Sequence, residues 1–99
     1  MRYKISDEAQ NDIENIWLYT FETWSAGQAD KYYNLLLDEI EYLAENPEAG
    51  KKYDHVRKGY LRSNIQSHII FYKINQEENA IEIIRILHQR MDIDAGLNE

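Results

Sequence analysis

Arg85-Ile86-Leu87-His88-Gln89-Arg90-Met91-Asp92-Ile93-Asp94-Ala95 is the stretch on which the fold turns. It continues a β-branched run that begins at Ile81 and leaves that run through a polar cluster of one histidine, one arginine and two aspartates. β-Branched side chains suit a pleated, half-buried surface, so Ala80 to Leu87 is predicted as a strand with a charged exit. On this reading Arg85 shares a face with Ile81, Ile83 and Leu87. Its stem lies over the sheet and its guanidinium pairs with a helix carboxylate such as Glu14 or Glu41. Upstream, Asn75-Gln76-Glu77-Glu78-Asn79 is a polar connection of hairpin length. It joins this strand to a second one, His68 to Ile74, and a short third candidate runs from Tyr60 to Ser63.

Further back, Glu48 to Gly59 is polar and reads as a loop with room for one helical turn. The first half of the chain has helical periodicity instead. After a short strand, Arg2 to Ile5, Ser6 is placed as an N-cap with Asp7 and Glu8 where a helix start favours negative charge. Ala9, Ile13, Ile16, Trp17, Phe21 and Trp24 then recur at three- and four-residue spacing, which predicts an amphipathic helix. Thr20 interrupts that face, with its hydroxyl able to bond back to the Ile16 carbonyl. Ser25 with Gln28 fits a capping box that restarts the helix. Ala29, Tyr32, Tyr33, Leu36, Leu37, Ile40, Leu43 and Ala44 are predicted to face a core until Glu45-Asn46-Pro47 ends the run. The expected class is α+β in the order β-α-α-β-β-β. An N-terminal helical hairpin packs on one face of a small, mostly antiparallel sheet, in a single domain spanning residues 1–99.

Ninety-nine residues leave no room for a second core. No apolar run approaches the roughly 20 residues that span a bilayer, and the N-terminus lacks a signal-peptide core, so the cytoplasm is the expected compartment. With no cysteine there is neither a disulfide framework nor thiolate chemistry. The net charge of −7 is uneven. Residues 1–50 hold 11 acids against 3 bases, whereas residues 51–99 hold 7 acids against 8 bases. The overall sign opposes nucleic-acid binding, and the one local basic patch is Lys51, Lys52, Arg57, Lys58 and Arg62.

Three stretches together resemble the bacterial RelE/ParE toxin superfamily, and its ParE branch in particular. Ser6 through Trp17 is similar to the opening helix. Arg57-Lys58-Gly59-Tyr60-Leu61-Arg62 with His68-Ile69-Ile70-Phe71-Tyr72-Lys73 is similar to the central hairpin, and Arg85 to Asp92 resembles the last strand and its exit. The resemblance covers nearly the whole chain. It implies a toxin that binds DNA gyrase without catalysing a reaction and that is neutralised by a cognate antitoxin. That antitoxin is expected to be a ParD-like ribbon-helix-helix protein whose C-terminal segment wraps the toxin. RNA-cutting members of the same superfamily define the alternative, and a degenerate member that only binds its antitoxin is a third reading.

Metal-free RNA cleavage needs a base, an acid and cations around the phosphorane. The available groups are Lys58, Arg62, His68, Arg85, His88 and Arg90, of which His88 serves best as base or acid and Arg62 and Arg90 as phosphate clamps. Against them, no aromatic hydroxyl follows Tyr72, and Asp92 and Asp94 stand where phosphate would sit. Taken as a binding protein, the chain offers Arg57, Lys58, Tyr60, Arg62, His88, Gln89, Arg90 and Met91 as a partner surface, rich in types that favour interface cores. Phe21 and Trp24 form a second candidate surface if exposed. Plainer roles stand beside these: His88 as a hydrogen-bonded strand-end histidine, Arg90 and Asp92 as a turn pair, and Trp17, Phe21 and Trp24 as core. His55, His68 and His88 are too far apart in sequence to suggest a metal site, and no cofactor motif is present. The acidic outer helix faces imply that DNA contact comes from the antitoxin, and no membrane contact is expected.

Overall fold

The structure, a computed structural model, describes residues 1–55 and 57–97. It runs β1 (Arg2–Ile5), α1 (Asp7–Thr23), α2 (Ala26–Glu45), a 3-10 turn at Pro47–Ala49, β2 (Lys51–Lys52), β3 (Leu61–Ile65), β4 (His68–Asn75), β5 (Ala80–His88) and α3 (Ile93–Leu97). The expected α+β order is present, with a two-residue strand added inside what reads from sequence as loop. Third-strand pairing begins at Leu61 and extends to Ile65 rather than spanning Tyr60 to Ser63. The sheet order is β1-β5-β4-β3-β2. β1 lies parallel to β5, and every other neighbour pair is antiparallel.

Both helix starts are fixed by serine caps. Ser6 Oγ accepts from the Ala9 amide at 3.0 Å and Ser25 Oγ from the Gln28 amide at 3.1 Å, each satisfying an N–H that the first turn leaves open. Thr20 bonds back to the Ile16 carbonyl at 2.8 Å. The hairpin lays Ile13, Leu36, Ile40 and Leu43 against Ile70, Tyr72, Ile81, Ile83 and Ile86 of the sheet. On the opposite face Ile69, Phe71, Leu87 and Leu97 form a smaller cluster with Tyr53, Tyr60 and Ile93 packed on it. A strand buried on both faces reads as a continuous apolar run, which is why Ile69-Ile70-Phe71-Tyr72 shows no alternation.

A β-bulge sets the faces of β5. Phe71 pairs with Arg85 but Tyr72 pairs with Ile83, so Ile84 is an extra residue. One extra residue exchanges the faces beyond it. Ile86 therefore joins the core under the helices, and Leu87 packs on the far side. The expectation that Leu87 and Arg85 share the face of Ile81 and Ile83 is corrected on this ground.

Of the two readings open for Phe21 and Trp24, core or exposed surface, the exposed one holds. Trp24 is 74% exposed and Phe21 43%. The last turn of α1 overhangs a groove, so Trp24 has no sheet beneath it. Phe21 instead stacks on the half-buried Trp17 at 5.2 Å between ring centroids. Tyr33 is exposed as well, in the outer seam between the helices.

Candidate functional site

β1 ends opposite Ile83, whereas β5 continues to His88, so the outer edge of β5 loses its neighbour after Ile83. Asp12, on α1, occupies the start of that gap. Its carboxylate accepts the Ile86 amide at 2.9 Å and a two-pronged contact from Arg85, Nε at 2.8 Å and Nη2 at 3.1 Å. Arg85 also donates from Nη1 to the Gly96 carbonyl at 3.1 Å, tying α3 to the strand. Arg85 therefore pairs with Asp12, not with Glu14 or Glu41, because the bulge carries its side chain to the open edge. A charge-assisted fork of this kind holds both groups in one geometry.

Beyond Asp12 the edge opens into a groove of about 700 Å³ between α1 and the ends of β4 and β5. Ile16, Tyr19, Thr20 and Trp24 form its α1 wall, Gln28 and Tyr32 its α2 wall, and His68, Ile86, His88 and Met91 its sheet side. Tyr19 is 69% exposed and Met91 50%, so with Trp24 the rim carries three large apolar side chains in water. Strand alternation aims the groups of this edge. The Ile86 N–H points outward to Asp12, so the Ile86 carbonyl and the His88 amide face the groove.

At the groove floor, His68 and His88 pair across the hairpin with ring centroids 5.1 Å apart and the rings nearly perpendicular. His68 Nδ1 lies 2.6 Å from the Tyr32 hydroxyl, which also reaches the Ile65 carbonyl at 3.3 Å. Burial, reinforced by the neighbouring His88, lowers the His68 pKa from 6.5 to about 4, against a smaller opposing pull from Asp12. Burial also pushes the Tyr32 hydroxyl up. Both groups are therefore uncharged at neutral pH. His88 Nδ1 accepts from the Arg90 amide at 3.1 Å, which puts the proton of neutral His88 on Nε2. That hydrogen bond occupies the one ring-nitrogen lone pair of this tautomer. No cluster of three His, Asp or Glu residues suited to a metal occurs among the described residues.

The remaining candidates fall into two groups. Arg57 and Lys58 stand exposed in the β2–β3 loop. Tyr60 packs on the outer cluster, and Arg62 holds its guanidinium 5.5 Å above the Tyr53 ring. Arg62 is paired with Phe71 and shares its outer face, whereas His88 sits on the groove side. The structure thus separates Arg62 from His88 by the thickness of the sheet. It brings His88 and Met91 together with Trp24, and leaves Gln89 and Arg90 exposed at the exit. Phe21 is exposed but points to the other flank of α1. Asp92 caps α3 by accepting the Ala95 amide at 3.3 Å.

Sequence reading gives no place in the site to Tyr19, Tyr32 or Asp12, and names His68 only among groups available for RNA cleavage. His68 was recoverable in principle, since counting outward from the Asn75–Asn79 turn sets it opposite the end of β5. Asp12 leaves no such signal, because its partner depends on where β1 stops and on the bulge.

Comparison with known proteins agrees with this fold. The family model for the ParE toxin of the type II toxin-antitoxin system, parDE, matches residues 3–93. Toxin ParE1 of Mycobacterium tuberculosis is 40% identical over 96 residues, covering 97% of each chain. Toxin ParE1 of Caulobacter vibrioides is 38% identical over 95 residues, covering 96% of each. Among solved structures, a chain of the chromosomal ParDE TA system from P. aeruginosa superposes with a TM-score of 0.76 at 17% identity. That match covers 89% of this chain and 95% of the other, a likeness of fold.

Proposed function

This chain belongs to the ParE toxin family of type II toxin-antitoxin systems, and we propose that it acts by binding: it inhibits DNA gyrase stoichiometrically and is neutralised by a cognate antitoxin seated in the α1–β5 groove. The observation that supports this most is the groove's rim. Tyr19, Trp24 and Met91 are large, apolar and exposed around a stretch of β5 edge that β1 does not reach. A docking segment gains burial from the first feature and backbone hydrogen bonds from the second. Aromatic and methionine anchors in a concave site are the usual carriers of binding energy.

The same site is poorly equipped for RNA cleavage. Burial leaves His68 a weak base with a pKa of about 4, His88 Nδ1 accepts a backbone amide, and Arg85 is engaged by Asp12. The proposed gyrase contact is the exposed exit, His88 to Met91, together with the basic loop Arg57, Lys58, Tyr60 and Arg62. DNA binding in a repressor complex is assigned to the antitoxin, since the helical hairpin presents an acidic surface. No helix among the described residues is long and apolar enough to cross a membrane. An action on gyrase sets the proposed working compartment as the cytoplasm.

Co-purification with the cognate antitoxin tests the groove. The wild-type pair is expected to elute as one complex. A Trp24→Ala and Tyr19→Ala double variant, folded by circular dichroism, is expected to lose the antitoxin at sub-micromolar concentration. Retention by that variant would move the antitoxin off the groove.

A further inference from the structure

On the other flank of α1, the outer seam of the helical hairpin opens into a notch of about 350 Å³. Glu14 and Trp17 of α1 and Asp30 and Tyr33 of α2 line it, with Gln10 and Ile13 at its end. Two aromatic rings and two carboxylates thus share one small space. The indole is held in place: its N–H donates to Asp30 Oδ1 at 3.0 Å, and Phe21 stacks on it with the rings 13° from parallel. Phe21 covers one side of the ring, and Trp17 lines the notch with the part that stays accessible.

The charge here is uncompensated. Neither Glu14 nor Asp30 enters an ion pair among the described residues. From Asp7 to Glu45 the only base is Lys31, so the whole hairpin carries a negative field. Exposed π faces attract cations, and a planar guanidinium both stacks on an indole and forks onto a carboxylate. An ammonium ion meets the ring and the carboxylates only as a point charge, without the planar stack or the two-pronged fork. Phosphate-bearing surfaces are repelled from the same spot.

We propose that this notch receives an arginine side chain from a basic segment of a protein partner, at a contact separate from the α1–β5 groove. Trp17 supplies the stacking face, Glu14 and Asp30 supply the acceptors, and Tyr33 closes the side. The surrounding acidic hairpin steers the basic segment toward it.

The test uses the full chain with Trp24→Phe, which leaves Trp17 as the single indole N–H in a proton–nitrogen correlation spectrum. The probe is a capped helical alanine-rich peptide bearing two arginines one turn apart, compared with its citrulline counterpart, at low ionic strength. The arginine peptide is expected to shift the Trp17 signal saturably and to bind at least about fivefold more tightly than the citrulline peptide. Combining Glu14→Gln with Asp30→Asn should remove that preference. The carboxamide introduced by Asp30→Asn keeps an oxygen that accepts the indole N–H, so folding is preserved. Glu22→Gln with Glu45→Gln, which removes the same charge elsewhere on the hairpin, should retain the preference. Equal binding of the two peptides would overturn the proposal, and so would equal losses in the two double variants.

Discussion

Asp12 performs two tasks where β1 no longer covers its neighbour: it pairs with Arg85 and satisfies the Ile86 amide. Both partners are mostly buried, the side chains being 13% and 19% exposed. Removing one member of such a pair leaves a poorly solvated charge behind, so Asp12→Ala is expected to cost about 3 kcal/mol. For a chain this size that lowers the melting temperature by roughly 12–24 °C, measurable by circular dichroism. A loss below about 1 kcal/mol, the range of exposed pairs, would show that this bond does not hold the strand edge. His68 supplies a second residue-scale test. Its pKa is about 4 when folded against 6.5 unfolded, so between those values the unfolded chain takes up more protons. Stability held by the neutral imidazole is complete above about pH 6.5 and is lost as pH falls through about 4. The melting temperature of His68→Gln should therefore fall less steeply with acidification than that of the wild type. Parallel curves would mean that His68 titrates normally.

Elements were legible where local chemistry specifies them. Ser6, Ser25 and Pro47 set the ends of α1 and α2 within hydrogen-bond reach or one residue, and the β-branched runs locate β4 and β5. β2 was not legible, because its two lysines form a strand only through pairing with Leu61 and Arg62. The Ile84 bulge was not legible either, and it decides which of Leu87 and Ile86 faces the helices. The site followed the same pattern. His88 and Met91 stood out by type, but their association with Trp24 depends on α1 overhanging the sheet, which periodicity does not encode. The helix stripe continued past the last residue that the sheet covers, so core was the plainer reading of Phe21 and Trp24 and an exposed surface the alternative. This exposure makes Trp24 a clean probe of the groove as an element. Trp24→Ala is expected to change stability by no more than about 0.5 kcal/mol. It should weaken antitoxin binding by about 2 kcal/mol, roughly thirtyfold in Kd by calorimetry. An equal loss of stability and affinity would mark Trp24 as structural.

Across the whole molecule, charge is divided by element: the helical hairpin is strongly acidic and the β2–β3 region is basic. One small chain thereby presents an apolar groove, an acidic flank and a basic edge to its surroundings, and none of these requires a reaction centre. The division also predicts that the chain alone leaves operator DNA unshifted in a mobility assay, with binding restored by adding antitoxin. Tight DNA affinity of the free chain would contradict the assignment of DNA contact to the partner. The central claim, inhibition of gyrase by binding, is met most directly by adding the purified protein to gyrase and relaxed plasmid and following supercoiling and linear DNA together. Loss of supercoiling with accumulating linear product, saturating near one toxin per enzyme binding site, is the predicted result. Undiminished supercoiling at micromolar protein would contradict it.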